Sequence, residues 1–255
     1  TPFILRRNKK EVLTELPDKI EQNMILPFSD EEEKLYVANL AKVNEELQQL
    51  YDIEGSDKMQ ILKMLTRLRQ LCLEPRLVYD NIDQPSSKLK ACMELIKTMQ
   101  ENKQKVLLFS SFTSALDLIA EECQKAGITF YMLTGSTNKE DRRELVSRFQ
   151  KDDTTVFLIS LKAGGTGLNL TSAEAVIHFD PWWNVSAQNQ ATDRAYRIGQ
   201  KNNVQVFNLV MKDSVEEKIV ELQKRKKELA DMFVENNSGG LSQMSKEDIL
   251  SLFTM

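Results

Sequence analysis

Short apolar runs alternate with amphipathic helical patterns over the second half of the chain. The apolar runs have the length and β-branched content of buried strands, and they predict strands at 105–109, 129–133, 155–159, 175–179 and 204–210. Between them, helices are predicted at 88–101, at 114–126 and from a Thr137–Glu140 capping box to residue 150. Strands separated by helices of this length need crossover connections. The pattern therefore predicts an α/β fold with a parallel sheet that helices cover on both faces.

The first third of the chain predicts helices. Residues 1–28 are interpreted as a linker with one extended stretch at 22–26, after which Ser29 and Glu32 form a capping box. The helix that starts there reaches about residue 51, and a second, antiparallel helix at 58–73 ends at Pro75. The acidic run at 30–33 opens the first helix, where negative charge favours the helix dipole. We interpret it as helix-starting charge and not as a metal site.

The C-terminal part of the chain predicts one long helix and one short one. The long helix spans about 214–234 and has an apolar side, and the short helix starts near Ser245. A partner-docking role for the tail is an alternative to simple packing. The pattern favours packing.

Composition is that of an ordinary globular protein. The 255 residues suffice for a full hydrophobic core, and 41% apolar and 28% charged residues exclude a disordered or fibrous class. No apolar run is long enough to cross a bilayer, and the first residues do not resemble a signal peptide. These features predict an intracellular location.

The cysteines and the single histidine do not suggest a catalytic or metal site. Cys72, Cys92 and Cys123 are widely spaced and lie in helical patterns, so buried, reduced thiols are expected. His178 lies in a predicted strand and is interpreted as a strand-end or core histidine. A histidine-based catalytic site or a zinc site is therefore excluded, and no metal ligands are predicted.

Net charge neither supports nor excludes a nucleic-acid partner. The chain carries a formal charge of −4, but local basic clusters decide the field at a groove. Two such clusters lie at 6–10 and 224–227, and either could equally be a solvated face.

The run QNQATDRAYRIGQ at 188–200 carries the clearest chemical signal. Interpreted as a helix, it places Gln190, Arg194 and Arg197 on one polar stripe. A second stripe at the spacing of a buried face consists of Ala187, Ala191, Ala195 and Ile198. Two guanidinium groups on such a short, rigid base suit an anion with several oxygens. The alternative is that both arginines pair with Asp193 or other surface carboxylates.

Polar patches follow the predicted strands. In a parallel sheet the carboxyl ends of the strands meet at one edge, where ligands gather. The patches lie at 110–113, 134–136, 162–167 and 180–184, and glycines in the third allow backbone N–H groups to turn toward a phosphate. Each patch alone could be an ordinary turn. Together they suit sequence-independent contact with a phosphate backbone.

The order of these motifs resembles a known family. AGGTGLNL, then a strand ending in DPWWN, then QATDRAYRIGQ are similar to motifs V and VI of the SWI/SNF-type DNA-dependent ATPases within helicase superfamily two. PFILRR and KKEVLTELPDK resemble the segment that joins the two motor lobes, LRQLCLEPRLV resembles the family's LRxxCxHP segment, and VLLFSSF resembles motif IV. The likeness covers nearly the whole chain.

The resemblance implies a domain organisation. Residues 1–28 would be an inter-lobe linker, 29–87 a helical protrusion, 88–212 the second RecA-like lobe (the helicase C-terminal domain), and 213–255 a C-terminal brace helix and tail. The chain would then be a piece of a longer protein whose N-terminal RecA-like lobe is the partner of this one.

The resemblance also implies roles for individual residues. Arg194 and Arg197 would be arginine fingers that bind ATP and act in catalysis, Gln190 would orient them or touch the nucleotide, and Gly167 would lie near the ribose. The residues implied at double-stranded DNA are Ser111, Thr134, Lys162, Gly164, Thr166 and Trp183. Two positions depart from the family pattern, since Val185 replaces a common proline and Tyr196 a common histidine.

The sequence lacks the motifs that a complete ATPase needs. It contains no GxxxxGK[ST] run, and no strand ends in the acidic pair of a Walker B box. ATP with Mg²⁺ would therefore be held largely by the N-terminal lobe, and the fragment alone is expected to be inactive. The expected function is the C-terminal half of an ATP-dependent DNA translocase or remodeller of nucleoprotein, with protein targets on DNA as further partners and no membrane. The alternatives are a non-catalytic DNA or protein interaction module and a strand-separating helicase lobe. The location would be cytoplasm or nucleoid in a bacterium and nucleus in a eukaryote.

Overall fold

Six parallel strands form the centre of the protein. The computed structural model describes residues 16–51, 58–164 and 167–232. The strands lie in the order β1-β6-β5-β2-β4-β3, and every pair of neighbours is parallel. They are β1 Lys19–Leu26, β2 Val106–Ser110, β3 Phe130–Leu133, β4 Val156–Ser160, β5 Ala175–His178 and β6 Val204–Met211. The predicted parallel α/β sheet is confirmed.

One strand begins earlier than the sequence suggested. Residues 19–21 were assigned to a linker, but β1 pairs with β6 from Lys19 opposite Val204 to Leu26 opposite Met211. Its side chains are mostly exposed or half-buried because β1 is an edge strand with a single neighbour. An edge strand of this kind lacks the continuous apolar run that marks the inner strands.

The helices follow the predicted order. Seven of them are α1 Asp30–Tyr51, α2 Lys58–Leu73, α3 Ser87–Glu101, α4 Thr113–Lys125, α5 Lys139–Lys151, α6 Leu161–Gly164 and α7 Val185–Thr192, and α8 spans Val215–Met232. The capping box of α1 is confirmed, since Ser29 N donates to Glu32 Oε2 at 2.8 Å and Glu32 N to Ser29 Oγ at 3.4 Å. The predicted tail helix near Ser245 lies outside the described residues.

The predicted cap of α5 is wrong by one residue. Asn138, and not Thr137, is the N-cap, because Asn138 Oδ1 accepts hydrogen bonds from Glu140 N and Asp141 N. Thr137 Oγ1 instead accepts from Thr134 N at 3.1 Å and closes the preceding turn. Asn is at least as good an N-cap as Thr, so the two candidates could not be separated by residue type.

Two apolar layers cover the sheet. Alternate side chains of each strand point to opposite faces, so Val106 and Leu108 pack under α3 and α4, whereas Leu107 and Phe109 pack with α5 to α7. Cys72, Cys92 and Cys123 are buried free thiols, as predicted. Burial raises the pKa of Cys92 and of Cys123, which keeps these thiols neutral.

A third cluster joins the helical pair to the rest of the protein. Side chains of α1, α2 and α8 pack together with Trp183 and Met211. At its border the fully buried Lys88 Nζ donates to both oxygens of the fully buried Glu216, at 2.7 and 2.6 Å. Burial raises the pKa of Glu216, while Lys88 favours the charged carboxylate. This ion pair ties the start of α3 to the start of α8. No helix among the described residues has the length and apolarity needed to cross a membrane.

Replacing Lys88 by Gln is expected to destabilise the protein by about 3–5 kcal/mol, because the buried Glu216 carboxylate would lose its counter-charge. The double variant Lys88→Gln/Glu216→Gln removes both charges and should lose less than the sum of the single variants by more than about 1 kcal/mol. Denaturant unfolding of the wild type, both single variants and the double variant measures this coupling. Strictly additive losses would contradict it.

Candidate functional site

The two candidate arginines lie in consecutive turns and not on a helix. Helix α7 ends at Thr192, and the backbone then continues through turns in which Ala195 N donates to Thr192 O and Gln200 N to Arg197 O. The predicted single polar stripe of Gln190, Arg194 and Arg197 is therefore wrong. Ile198, predicted on the buried face, is 69% exposed. We call residues 193–200 the arginine turn.

The alanine-lined contact is confirmed in part. Ala191 and Ala195 are buried in the apolar layer that covers the sheet, at 2% and 0% exposure. Small side chains at these two positions let the arginine turn lie close to the sheet, so the predicted short, rigid base exists without the predicted helix.

Polar contacts fix α7 to the sheet. His178, Asn208 and Asn23 stand in register on the neighbouring strands β5, β6 and β1. From α7, Thr192 Oγ1 lies 2.9 Å from His178 Nε2, and Gln188 Nε2 donates to Asn208 Oδ1 at 2.9 Å. Asn208 Nδ2 in turn donates to Asn23 Oδ1 at 2.9 Å. A buried network of this kind specifies one position of the helix, because a shift would leave polar groups unpaired.

Gln200 closes the arginine turn. Its Nε2 donates to Ala173 O at 2.8 Å and to Ala195 O at 3.2 Å, and its Oε1 accepts from Lys201 N and Asn202 N. Leu170 N also donates to Arg194 O at 3.0 Å. The arginine turn is thus attached to the segment that leads into β5, at the amino end of that strand.

Arg194 connects the arginine turn to the glycine-rich loop. Its Nε donates to Gly164 O at 3.0 Å, although Gly164 follows β4 at the opposite, carboxyl edge of the sheet. Burial and the neighbouring charge of Arg197 lower the pKa of Arg194, and Asp193 partly offsets them. An arginine keeps its charge under such a shift. Arg194 therefore remains a cation in the arginine turn.

Arg197 and Gln190 are exposed. Among the described residues Arg197 forms no ion pair with a carboxylate. The alternative that both arginines are locked in surface salt bridges is therefore not supported for Arg197. Its guanidinium is available to an anion from outside the described part of the chain.

Two glycines of the glycine-rich loop have different structural reasons: Gly164 packs closely against the core, and Gly167 has a backbone conformation that favours glycine. A Cβ on Gly164 would lie 3.0 Å from the Phe109 ring, so a larger residue would clash with the core. Gly167 has a positive φ of 46° and open space around it. Lys162 is exposed beside them. Gly165 and Thr166 lie outside the described residues.

The candidate DNA contacts on the strand ends differ in exposure. Thr134 and Lys162 reach the surface, whereas Gly164 is buried and presents only its backbone. Ser111 is half-buried, and its hydroxyl donates to Asp180 Oδ2 and accepts from Arg69. Trp183 is only 9% exposed and packs in the cluster of α1, α2 and α8. Such burial does not fit the contact with DNA that was expected of Trp183.

Sequence reasoning missed an ion pair at this edge. Arg69 on α2 donates to Asp180 Oδ2 at 2.7 Å, and both side chains are buried. The two residues are 111 positions apart, and nothing in the sequence pattern pairs them. The described residues contain no group of three or more His, Cys, Asp or Glu side chains that could hold a metal ion.

Comparison with known proteins finds two matching families. Residues 1–77 match the family described as SNF2-related domain, and residues 87–199 match the Helicase conserved C-terminal domain. An uncharacterized ATP-dependent helicase of Mycoplasma pneumoniae is 37% identical over 99% of this chain, and the ISWI chromatin-remodeling complex ATPase ISW1 of Saccharomyces cerevisiae is 34% identical over 98%. The chain spans 24% of the length of each of these relatives.

A solved structure with the same fold is the Sulfolobus solfataricus SWI2/SNF2 ATPase core in complex with dsDNA. It superimposes with a TM-score of 0.74 at 33% identity, covering 98% of this chain and 54% of that one.

Gly164→Ala is expected to destabilise the protein by about 1–3 kcal/mol, because the added methyl group overlaps the Phe109 ring. Gly135→Ala is the matched control: a Cβ there meets nothing within 4 Å, and the exposed position should tolerate it. Thermal unfolding of both variants checks the difference. Equal melting temperatures would show that the close approach at Gly164 has no energetic consequence.

The buried His178 should make stability depend on pH. Burial lowers its pKa from 6.5 to about 4, against smaller opposing effects of Glu21 and Asp180. The unfolded chain therefore takes up a proton first, and stability should fall as the pH drops from about 6.5 to about 4, by roughly 3 kcal/mol in total at about 1.4 kcal/mol for each pH unit.

His178→Gln is the control for this pH dependence, since it offers a non-titrating partner to Thr192. Denaturant unfolding between pH 7 and pH 4 should show a smaller loss of stability in this variant. His178 is the only histidine in the chain, so the difference is assigned to one group. Parallel curves for the two proteins would refute the assignment.

Proposed function

The chain belongs to the SNF2-related family of ATP-dependent helicases and remodellers, and on that premise we propose that it is the C-terminal half of an ATP-dependent double-stranded DNA translocase. It would supply the arginine fingers and part of the DNA-binding surface. The N-terminal RecA-like lobe of the same protein would supply the phosphate cradle and hold Mg²⁺, since this sequence has no GxxxxGK[ST] run.

One observation carries this proposal. Arg194 and Arg197 lie three positions apart in the arginine turn, Arg194 is held by Gly164 O, and Arg197 is exposed without a carboxylate partner among the described residues. Two nearby guanidinium groups repel each other. An anion placed between them is attracted by both groups and also offsets their repulsion. A triphosphate held by another lobe is an anion of that kind. Bound ATP would supply the phosphoryl group whose transfer to water drives the cycle.

The environment of the arginines supports their role as fingers. Arg194 is oriented by Gly164 O, and the backbone of the arginine turn is held by Gln200 and Leu170. Pre-organised charge stabilises a transition state without rearrangement at the moment of reaction. Gln190 and Gly167, both exposed, would border the nucleotide.

The strand-end edge would contact DNA. Lys162 provides an exposed positive charge there, and Thr134 lies in a turn where its hydroxyl is 2.8 Å from that of Ser136. Such groups contact phosphate without reading sequence. Gly164 remains a candidate through its backbone, and Thr166 remains a candidate that lies outside the described residues. Ser111 is left out because its hydroxyl and its N–H both donate to Asp180, and Trp183 is left out because it is buried. The archaeal ATPase core that shares this fold was solved with dsDNA bound.

Arg194→Ala and Arg197→Ala in the full-length protein should each reduce DNA-stimulated ATP hydrolysis by about 10³–10⁵, the range measured for arginine fingers. Arg148→Ala is the matched control: it removes an exposed arginine near the end of α5 that forms a surface pair with Glu144 and lies over the Tyr131 ring. Steady-state hydrolysis with and without duplex DNA measures the effect.

The finger assignment fails if either finger variant retains wild-type hydrolysis at saturating ATP and DNA. A full-length protein without hydrolysis in the presence of duplex DNA would instead favour a non-catalytic interaction module. Unwinding of a blunt duplex by the wild type would favour a strand-separating helicase over a translocase.

A further inference from the structure

A single buried carboxylate, that of Asp180, accepts hydrogen bonds from several polar groups near the carboxyl ends of the strands. Asp180, directly after β5, accepts hydrogen bonds from Ser110 Oγ at 2.8 Å and from Ser111 N at 3.0 Å, both at the end of β2. Ser111 Oγ and Arg69 also donate to it. Asp180 is 5% exposed, so it takes no part in contacts with solvent or with a ligand. Three of its four donors come from the end of β2, and the fourth comes from a helix outside the sheet.

Arg69 brings the helical protrusion, α1 and α2, into this arrangement. It lies on α2, yet its NH2 group donates to Ser111 Oγ at 2.9 Å, to Asp180 Oδ2 at 2.7 Å and to Pro181 O at 3.3 Å. Its guanidinium carbon also lies 4.9 Å from the ring centre of Phe112, 5.3 Å from that of Trp183 and 5.6 Å from that of Trp182. The guanidinium thus contacts the loops after both β2 and β5.

These contacts explain why the Ser111 hydroxyl does not face a ligand. The sequence made Ser111 a candidate phosphate contact, but its hydroxyl is shared between Asp180 and Arg69. A hydroxyl with one donor hydrogen cannot also donate to a phosphate. Ser111 thereby fixes the loop that follows β2, and the backbone of that loop keeps its orientation through Asp180.

We infer that Arg69 is a positioning residue through which the helical protrusion sets the geometry of the DNA-contacting loops. The inference rests on the proposed function, since it concerns the same strand-end surface. Arg69 itself is 5% exposed and does not touch DNA. Loss of Arg69 removes the link between the helical protrusion and the loops after β2 and β5, and it leaves the buried Asp180 without its counter-charge. The surface should then bind DNA less well although every contacting group is still present.

The test uses Arg69→Gln in the full-length protein. The concentration of duplex DNA that half-saturates ATP hydrolysis should rise about tenfold, while the rate at saturating DNA falls less than about twofold, as expected for weakened binding. A residue that contacted phosphate directly would also lower the salt slope of DNA binding by about one. For a positioning residue the slope should equal that of the wild type.

Lys88→Gln is the matched control. It removes a buried cation from a buried carboxylate in the same way. Lys88 contacts Glu216 and the ring of Phe179, which directly follows β5, but none of the polar residues at 110–113 or 180–184. It should lower the melting temperature without changing the half-saturating DNA concentration. Equal melting losses and unchanged DNA dependence in both variants would make Arg69 a merely structural residue and overturn the inference.

Ser110→Ala keeps the inference testable if Arg69→Gln does not fold. Ser110 is 1% exposed, and its hydroxyl donates to Asp180 Oδ1 and accepts from Phe112 N, so it acts on the loop after β2 and not on DNA directly. The half-saturating DNA concentration should rise about threefold at an unchanged salt slope. An unchanged concentration refutes the inference. Absence of DNA-stimulated hydrolysis in the wild type would instead refute the proposed function, so the two failures are distinguishable.

Discussion

Parallel pairing of all six strands is the constraint on which the rest of the structure depends. Each connection between parallel strands must return from the carboxyl end of one strand to the amino end of the next. The carboxyl ends of β2, β3, β4 and β5 therefore lie on the same side of the sheet. The arginine turn belongs to the returning part of such a connection and lies beside the start of β5. Two candidate sites on opposite edges are therefore built into the topology. The hydrogen bond from Arg194 to Gly164 O is the observed contact that joins them.

Buried polar groups, and not apolar packing alone, position these sites. An apolar layer tolerates small shifts, because one hydrophobic contact replaces another at little cost. The bonds from α7 to His178 and Asn208 do not tolerate such shifts, since each misplaced polar partner would lose a buried hydrogen bond. The same argument holds for Asp180 with its four donors. Buried hydrogen-bond networks of this kind suit a site whose side chains must have fixed positions when a partner binds.

The sequence predicted what depends on local pattern. The inner strands were found because each is a short apolar run, and the capping box at Ser29 because its hydrogen bonds span three residues. The predicted β1 was too short, because the sequence KIEQNMIL of this edge strand contains few apolar residues in a row. The arginine turn was predicted as helix because alanine, glutamine and arginine favour helices, whereas the fold replaces helical bonds with bonds from Gln200 and Leu170. The Arg69–Asp180 pair joins residues 111 positions apart, so no local pattern could reveal it.

The charge arrangement of the arginine turn gives the proposed function its physical basis. Arg194 and Arg197 carry like charges in one turn, and burial together with the charge of Arg197 lowers the pKa of Arg194. Ala191 and Ala195 are buried against the sheet, so the arginine turn cannot move closer to the sheet to separate the two charges. The repulsion is relieved when an anion binds between the two groups, and a lobe that closes on a triphosphate would bring that anion. Hydrolysis and loss of phosphate would restore the repulsion, so the same two charges favour closure before the reaction and opening after it.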